Sequence, residues 1–387
     1  MLSSILLFVL GSLAVFYPID AKWRFAPYVE REDVLWRQHD PGDVNEYRIP
    51  IIGPTADGHL VAISEARKLG GGDSGNKFLT MLRSHDGIQW SSATKFIFSD
   101  LSDVTDGMNL GEMLTDMETG SMFIIYSHCS HACNVSTTYI IRSDDNGLSW
   151  KNAVNVTNII CNVTKTFDPG PGLGLQLKQH PRHKGRLIFC GHGGLRSEIV
   201  ACIYSDDHGE TWKGGMALPG IPFHSDEGRG LFEPNELQMV ELKDGRVLFT
   251  IRNEKDYNDA GPIFASSDDG CETISMMSIR FPQGLPDPVC AAGMLYHEEH
   301  DGLLLHSNAY NARHRINMTV SWSYDEGQTW NNSDHLQVWP GPSAYSCLTA
   351  IPGKPNYVGL LYENGIYFEC ERMTYALINL QPTWEED

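Results

Sequence analysis

The sequence predicts an all-β fold, a six-bladed β-propeller, on three observations. A short turn motif recurs about every sixty residues, strand-like apolar runs such as GRVLFTIRN lie between its copies, and no stretch shows sustained helical periodicity. Residues 22–387, divided into units of about sixty, give six units of four short strands. We therefore expect a single propeller domain over residues 22–387, preceded by a separate segment over residues 1–21.

The recurring motif reads Ser-x-Asp-x-Gly-x-(Ser/Thr)-Trp. Its aspartate can accept hydrogen bonds from the turn backbone, its glycine adopts positive φ without strain, and its tryptophan covers the hairpin. Two copies are damaged, because one is a residue short and another has Cys271 and Ile274 in place of the glycine and the tryptophan. Five copies fit six blades if strands from both chain termini close the last blade. The copies begin at Ser84, Ser143, Ser205, Ser267 and Ser323.

The charge balance limits the partners of the chain. With 49 acidic and 29 basic residues the net charge is −20, which argues against nucleic acid and anionic membranes as partners. An anionic substrate would have to be attracted by a few placed cations. The apolar run from Ile5 to Phe16 predicts a signal peptide over residues 1–21, and an uncleaved N-terminal anchor is the alternative.

Two further features indicate the secretory pathway. Nine cysteines are present, and Cys129 and Cys133 are close enough in sequence to bridge a short loop. The surrounding SHCSHAC segment has metal-ligand residue types, but no second pair follows at zinc-like spacing, so we expect a disulfide, no metal and no cofactor. Glycosylation sequons occur at Asn134, Asn155, Asn162, Asn317 and Asn331.

Arg48 interrupts an apolar, β-branched run in the segment EYRIPIIG. Arginine is rarely buried without an anionic partner, so Arg48 either pairs with an internal carboxylate or receives an anion from outside. Two more arginines, Arg252 and Arg315, follow or enter strand-like runs, as side chains that project toward a propeller axis would. The pattern alone leaves both interpretations of Arg48 open.

These motifs resemble those of the sialidase family. The repeats resemble its Asp-boxes, which also occur in non-catalytic propellers and other glycosidases, so the box aspartates are expected to be structural. The Tyr-Arg-Ile-Pro segment at Arg48 resembles the family's (Phe/Tyr)-Arg-Ile-Pro motif. The resemblance implies a glycoside hydrolase, a retaining exo-α-sialidase that removes terminal sialic acids from glycoproteins, glycolipids and oligosaccharides.

The resemblance also implies which residues bind the substrate. Arg48, Arg252 and Arg315 would hold the sialic acid carboxylate, since guanidinium groups match a carboxylate in bidentate geometry. Glu363 in LLYENG would orient Arg48. Arg67 and Asp106 would line the pocket, together with Asn109 and the loop at residues 168–176, DPGPGLGLQ.

Three residues are implied to be catalytic. Asp73, in the glycine-rich segment EARKLGGGDSGNKF, would act first as acid and then as base. Tyr345 in GPSAYSCL would be the nucleophile. Its base would come from LFEPNELQMVEL, where composition leaves Glu233, Glu236 and Glu241 open and the resemblance selects Glu236.

Several expectations concern the whole protein. The segments EARK, DGMNLG, KGRLIFCGHG, SDDHGETW and WPGPSAYS resemble most those of the animal lysosomal members of the family, which predicts a lysosomal or secreted protein with an acidic pH optimum. Sialylated glycans are the expected partners, and the resemblance adds a protective carboxypeptidase and homo-oligomers. A trans-sialidase and a non-catalytic sialic-acid-binding propeller remain alternatives.

Overall fold

The computed structural model describes residues 22–68, 72–73, 75–99, 107–129, 133–194, 199–221, 232–254, 261–300 and 302–385. The predicted signal peptide at residues 1–21 and Asp106 lie outside these residues. None of the helices in the described ranges is long and apolar enough to cross a membrane. They comprise one helical turn, α1 (Thr157–Ile160), and a short 3-10 turn, Met276–Ser278.

The described residues form an all-β structure whose strands are mostly four to ten residues long, as the short apolar runs predict. In chain order the strands are β1 (Lys22–Phe25), β2 (Tyr28–Arg37), β3 (Glu46–Pro54), β4 (Leu60–Arg67), β5 (Lys77–Ser84), β6 (Thr94–Ser99), β7 (Met108–Thr115), β8 (Met122–His128), β9 (Thr137–Ser143), β10 (Val154–Asn155), β11 (Phe167–Pro169), β12 (Gly172–Leu173), β13 (Leu175–Gln176), β14 (Leu187–Gly193), β15 (Ile199–Ser205), β16 (Lys213–Gly214), β17 (Leu218–Pro219), β18 (Pro234–Glu241), β19 (Val247–Asn253), β20 (Ile263–Ser267), β21 (Gly293–His297), β22 (Leu303–Ala309), β23 (Ile316–Ser323), β24 (His335–Ala350), β25 (Tyr357–Asn364), β26 (Arg372–Asn379) and β27 (Pro382–Glu385).

These strands form sheets that are antiparallel except for the short parallel pair of β7 and β12, and their order largely follows the chain, as expected of a propeller. One sheet has the order β3-β4-β5-β6, the next β10-β9-β8-β7-β12, and the third is built on β11-β14-β15-β16. The fourth has the order β18-β19-β20, and a seven-stranded sheet has the order β2-β26-β25-β24-β23-β22-β21. The chain is therefore an all-β propeller.

The apolar core lies between neighbouring sheets. Six buried apolar clusters are present. Five draw their side chains mainly from two sheets that follow one another around the ring. The sixth lies within the seven-stranded sheet, where side chains of β22 and β23 pack against those of β24, β25 and β26. One cluster joins the two ends of the chain, because Trp36 of β2 and Tyr375 of β26 pack with Ile52 of β3. Strand β2 pairs with β26, so the predicted closure by both termini is confirmed.

All five repeats form the predicted turn. In the copy at Ser205, the Ser205 hydroxyl accepts the Gly209 N–H at 2.8 Å, and the Asp207 carboxylate accepts the Thr211 N–H at 2.8 Å. The damaged copy that begins at Ser267 keeps this pattern, since the Cys271 N–H donates to Ser267 Oγ at 3.0 Å. Cys271 takes the left-handed φ of 66° that the missing glycine would adopt without strain. The box aspartates thus hold turns, as predicted.

Two disulfides are present among the described residues. Cys129–Cys133 confirms the disulfide interpretation of the SHCSHAC segment. Cys190–Cys202 joins directly opposed residues of β14 and β15, and the sequence had not predicted it. Cys271 lies close to this second disulfide in the described structure, but the three sulfurs are buried and two of them are bonded to each other, so they offer no open metal site.

Candidate active site

A polar cavity of about 210 Å³ opens at one end of the sheets. It lies where the first strand of several sheets begins and the second strand ends, because antiparallel neighbours bring those positions to the same edge. A second cavity of about 300 Å³, at the other end of these strands, has a largely apolar lining that includes Glu241 and residues 173–176. Of the predicted pocket loop 168–176, only the first residues line the polar cavity. The polar cavity is lined by Arg48, Ile49, Glu65, Arg67, Asp73, Asn109, Leu110, Asp168, Pro169, Pro171, His192, Asn235, Glu236, Arg252 and Tyr345.

Arg48 is held in this cavity by Glu363. The Arg48 Nε donates to Glu363 Oε1 at 2.7 Å, and the same oxygen accepts the Ile49 N–H at 2.9 Å. The other oxygen accepts the Tyr345 N–H at 3.1 Å, and Glu363 is fully buried. Burial opposes the charged form of Arg48, but the charge of Glu363 raises the pKa of Arg48 well above its ordinary value. The terminal nitrogens of Arg48 make no hydrogen bond within the described part of the chain.

Tyr345 and Glu236 form the central pair of the site. The Tyr345 hydroxyl donates to Glu236 Oε1 at 2.5 Å, while Arg252 Nη1 donates to Glu236 Oε2 at 2.7 Å and to the Tyr345 oxygen at 3.2 Å. Burial and the charge of Glu236 raise the pKa of Tyr345 well above its ordinary value, so the phenol is neutral. Burial would raise the pKa of Glu236, but Arg252 lowers it, so this carboxylate is ionised.

Two more guanidinium groups lie against the Tyr345 ring. Arg48 Cζ is 5.1 Å and Arg315 Cζ is 5.6 Å from the ring centroid. Together with Arg252 at the hydroxyl, three arginines surround one phenol. This arrangement provides a localised positive charge beside a buried, neutral phenol.

Arg67 and Asp73 form the side of the cavity that is contributed by β4 and the following segment. Arg67 Nη2 lies 2.9 Å from Asp73 Oδ1, and Arg67 Nε donates to Glu65 Oε2 at 3.0 Å. Arg67 is buried, whereas 57% of the Asp73 side chain is exposed. Burial would raise the pKa of Glu65, but Lys77 and Arg67 lower it. Glu65 is therefore an ionised carboxylate within a buried network with these two cations. Asp73 is thus placed at the cavity with its carboxylate accessible.

Register shifts in three strands direct the side chains of site residues into the polar cavity. The register shifts between Arg48 and Ile51 in β3, between Pro234 and Leu237 in β18, and between Ser343 and Ser346 in β24. Arg48, Glu236 and Tyr345 lie at or within these shifts. A bulge re-aims a side chain that regular alternation would place on a sheet face, which explains how polar groups reach the cavity from otherwise apolar strands.

The structure brings together nearly all residues that the sequence singled out. Of the three candidate glutamates in the described part of the chain, Glu236 alone lines the cavity, while Glu241 accepts backbone N–H groups of residues 178–180 elsewhere. Asp106 lies outside the described residues. No role was predicted for Lys77, His192 or the buried Glu65. Glu65 accepts the Leu110 N–H and Lys77 donates to the Met108 carbonyl, contacts that join segments distant in sequence.

The predicted glycosylation sites lie at the surface or near it. Asn134, Asn155, Asn162 and Asn331 are exposed. Asn317 is half-buried, and its Oδ1 accepts a hydrogen bond from Gln337 Nε2 at 2.7 Å. Glycosylation of these five residues stays a prediction.

Comparison with known proteins agrees with this architecture. The BNR repeat-like domain family matches residues 47–358. The chain is 31% identical over 351 residues to a sialidase of Micromonospora viridifaciens, covering 82% of the chain and 50% of that relative. It is 24% identical over 303 residues to sialidase-2 of Mus musculus, covering 70% and 75%. The chain therefore belongs to the sialidase family of BNR-repeat propellers.

Solved structures show the same fold. The Hadza microbial sialidase Hz136 superposes with a TM-score of 0.71 at 23% identity, covering 89% of this chain and 68% of that one. The intramolecular trans-sialidase from Ruminococcus gnavus, in complex with oseltamivir carboxylate, gives a TM-score of 0.71 at 17% identity and covers 89% and 97%. The chain spans only half the length of the Micromonospora relative and 63% of a Bacteroides fragilis sialidase.

Proposed function

We propose that the protein is a retaining exo-α-sialidase, a glycoside hydrolase that releases terminal sialic acids through a covalent tyrosyl intermediate. The observation that carries this proposal is the 2.5 Å hydrogen bond from the buried Tyr345 hydroxyl to Glu236, with three guanidinium groups around the same phenol. The three arginines and the use of a tyrosine as nucleophile both fit the chemistry of the proposed substrate.

The cations fit the carboxylate that sialic acid carries on its anomeric carbon. Arg48, Arg252 and Arg315 would bind it, and Glu363 keeps Arg48 in place for this contact. Because Arg48 and Arg315 face the Tyr345 ring and Arg252 donates to its hydroxyl oxygen, the carboxylate would be held with its anomeric carbon near the phenol. The site thus supports recognition of one acidic sugar at a chain end.

A tyrosine suits this substrate better than a carboxylate nucleophile would. An attacking carboxylate about 4 Å from the substrate carboxylate would meet a repulsion of about 4 kcal/mol at an effective dielectric constant of about 20. That energy corresponds to roughly a thousandfold in rate. A neutral phenol avoids most of this repulsion, and Glu236 is placed to take its proton as the Tyr345 oxygen attacks.

Asp73 would protonate the leaving oxygen and then activate the water that hydrolyses the intermediate. Its exposed carboxylate lies at the cavity, next to Arg67. It must gain a proton before it acts as an acid, which supports the expected acidic pH optimum. Activity that rises steadily to pH 8 would contradict this role.

The test is hydrolysis of a fluorogenic α-sialoside near pH 4.5 by wild-type protein and by Tyr345→Phe. We expect the variant to lose at least about a hundredfold in kcat, because the reaction loses its nucleophile. Tyr367→Phe is the matched control, since Tyr367 is 88% exposed, and its activity should equal the wild type. Equal activity of Tyr345→Phe and the wild type would refute the tyrosyl mechanism.

Product analysis separates the alternatives. Release of free sialic acid in the presence of lactose supports hydrolysis, whereas sialyl-lactose would identify a trans-sialidase, in which a sugar hydroxyl replaces water. Sialic acid that binds without any turnover would identify a binding propeller. The expected substrates are sialylated glycoproteins, glycolipids and oligosaccharides.

We also infer that the propeller has six blades. The seven-stranded sheet divides within the 16-residue strand β24, since residues 335–342 pair with β23 and residues 343–350 with β25. The division gives two four-stranded units in addition to the four other large sheets. The six apolar clusters match the six interfaces of such a ring.

The cellular setting is also a proposal. We infer a secreted or lysosomal protein, close to the animal lysosomal sialidases, from the N-terminal apolar run and the sequons. The disulfides Cys129–Cys133 and Cys190–Cys202 support an oxidising compartment. A role in ganglioside breakdown, a carboxypeptidase partner and homo-oligomers follow from that resemblance alone, and co-purification from the secretory pathway would test them.

A further inference from the structure

Arg315 is held by a backbone turn that the proposed mechanism does not use. Its Nη2 donates to the Val289 carbonyl oxygen at 3.1 Å. Val289 has a left-handed φ of 62°, which is strained for a β-branched residue. Such a conformation persists only where its surroundings hold it, so the turn needs a group that fixes it.

Asp287 is that group. Its Oδ1 accepts the Val289 N–H at 2.7 Å and the Cys290 N–H at 3.3 Å, which fixes the turn from inside. Asn308 Nδ2 donates to the Pro286 carbonyl at 2.8 Å and holds the segment just before it. Asp287 is only 2% exposed, so these contacts are shielded from water.

The Asp287 carboxyl also lies within the electrostatic field of the arginines. Its Oδ2 is buried and has no hydrogen-bond partner within the described residues. Burial raises the pKa of Asp287 to about 6, opposed by the two backbone N–H groups and by the charges of Arg252 and Arg315. Each substrate-binding arginine thus has an acidic residue associated with it: Glu363 for Arg48, Glu236 for Arg252, and Asp287 for Arg315 through the Val289 carbonyl.

We propose that Asp287 is a positioning residue for Arg315, which holds the turn at residues 287–290 so that the Val289 carbonyl fixes the guanidinium beside Tyr345. Asp287 does not touch the substrate in this role. The inference rests on the proposed function, because Arg315 is there assigned to the sialic acid carboxylate. It adds to that function a residue on which the substrate affinity depends.

The experiment compares Asp287→Ala and Asp287→Asn with the wild type by steady-state hydrolysis of the α-sialoside. Asp287→Ala should raise KM about tenfold and change kcat less than about threefold, because misplacing Arg315 weakens binding in the ground and transition states alike. Asp287→Asn should keep KM within about threefold, since its amide oxygen can accept the same two N–H groups. If the alanine variant does not fold, Asp287→Ser takes its place with the same expectation.

A double-mutant cycle that combines Asp287→Ala with Arg315→Ala measures the coupling between these two residues. If Asp287 acts through Arg315, Asp287→Ala should add less than about twofold to KM when Arg315 is already alanine. Asp116→Ala is the matched control, because Asp116 is also buried and accepts two backbone N–H groups in a turn, but at the other end of the sheets. It should lower stability and leave KM unchanged.

Three results overturn the proposal: an unchanged KM in Asp287→Ala, additive effects in the cycle, or a similar KM increase in Asp116→Ala. A failure of the proposed function looks different, because the wild type would then neither hydrolyse the sialoside nor bind 2,3-didehydro sialic acid by calorimetry. In that event the same cycle is measured by urea unfolding. Coupling between positions 287 and 315 would support the positioning contact, and additive losses of stability would overturn it.

Discussion

At the scale of single residues, the site depends on buried charges that are each compensated. Glu363 is fully buried, yet both of its oxygens are occupied by the Arg48 guanidinium and by two backbone N–H groups. Removing one member of such a pair leaves an uncompensated buried charge, which typically costs about 3–5 kcal/mol. Arg48 therefore has an internal partner, and within the described residues its terminal nitrogens make no hydrogen bond that would prevent contact with an outside anion. The two interpretations suggested by the sequence are compatible.

Asp287 gives the stability of the protein a specific pH dependence. Its pKa is about 6 in the folded protein against 3.8 for the unperturbed group, so the folded state binds the proton more tightly. The contribution to stability is full below about pH 4 and is lost as the pH rises through 6. A shift of about two pKa units corresponds to about 3 kcal/mol.

We therefore expect Asp287→Asn to gain about 3 kcal/mol relative to the wild type between pH 4 and pH 7, measured by urea unfolding. Asp116→Asn is the control, because its stability relative to the wild type should change with pH in the opposite direction. Burial would raise the pKa of Asp116, but hydrogen bonds from Thr119 and His208 lower it, so its carboxylate stabilises the fold above about pH 4. A constant difference between Asp287→Asn and the wild type over this range would contradict the raised pKa.

At the scale of elements, the Asp-boxes and the bulges have separate tasks. The boxes hold the hairpin turns on the strands, while the bulges at Arg48, Glu236 and Tyr345 aim functional groups into the cavity. A strand can therefore keep an apolar face for the core and still present one polar side chain at its end. This division explains why the repeat itself need not carry catalysis.

Substitution in a box should affect stability and leave catalysis intact. Asp207→Ala removes the acceptor for the Thr211 N–H and hydroxyl, at 2.8 and 2.6 Å, and we expect a loss of about 1–2 kcal/mol in unfolding free energy. KM and kcat of the folded fraction should stay at wild-type values. The same change at Asp269 in the damaged box is the control, and a loss of kcat in either variant would argue against a structural role.

The sequence predicted the repeats, the closure and the central residues because these depend on local patterns. Turn chemistry lies within eight residues, and Arg48, Tyr345 and Glu363 stand in short recognisable segments. Asp287 was not found, because its turn reaches Arg315 only through the Val289 carbonyl, 26 residues away in sequence. Lys77 was not found, because its partners lie in a distant segment of the chain. Lys77, for example, donates to the Met108 carbonyl at 2.8 Å and to Asn109 Oδ1 at 2.9 Å across two sheets.

At the scale of the whole molecule, the net charge of −20 opposes the approach of an anionic sugar. Screening at physiological salt reduces this long-range repulsion beyond about 8 Å, whereas the arginines act at contact distance. Binding would therefore depend on the local cluster around Tyr345. The ring shape makes that cluster possible, because it brings Arg48 of the first sheet, Glu236 and Arg252 of the fourth, and Tyr345 of the seven-stranded sheet to one place.

The ring itself depends on its closing strand. β2 forms eight residue pairs with β26, Trp36 is buried against the first sheet, and Glu32 accepts a hydrogen bond from the Tyr362 hydroxyl at 2.6 Å. Without β2, the backbone of β26 would become an exposed edge that favours pairing with another chain. We therefore expect removal of β2 to destabilise the whole propeller.

Deleting residues 22–37 should give a protein that aggregates or lacks the native fold, because the lost pairing and burial rival the total stability of a domain, about 5–15 kcal/mol. Size-exclusion chromatography and thermal unfolding measure this outcome. Deleting residues 22–26 is the matched control: it removes β1, which forms four residue pairs with β27, and should leave a monomeric, folded protein with a lower Tm. A synthetic peptide of residues 22–38 should restore folding of the longer deletion, and a monomeric longer deletion with the wild-type Tm would show that the ring closes without β2.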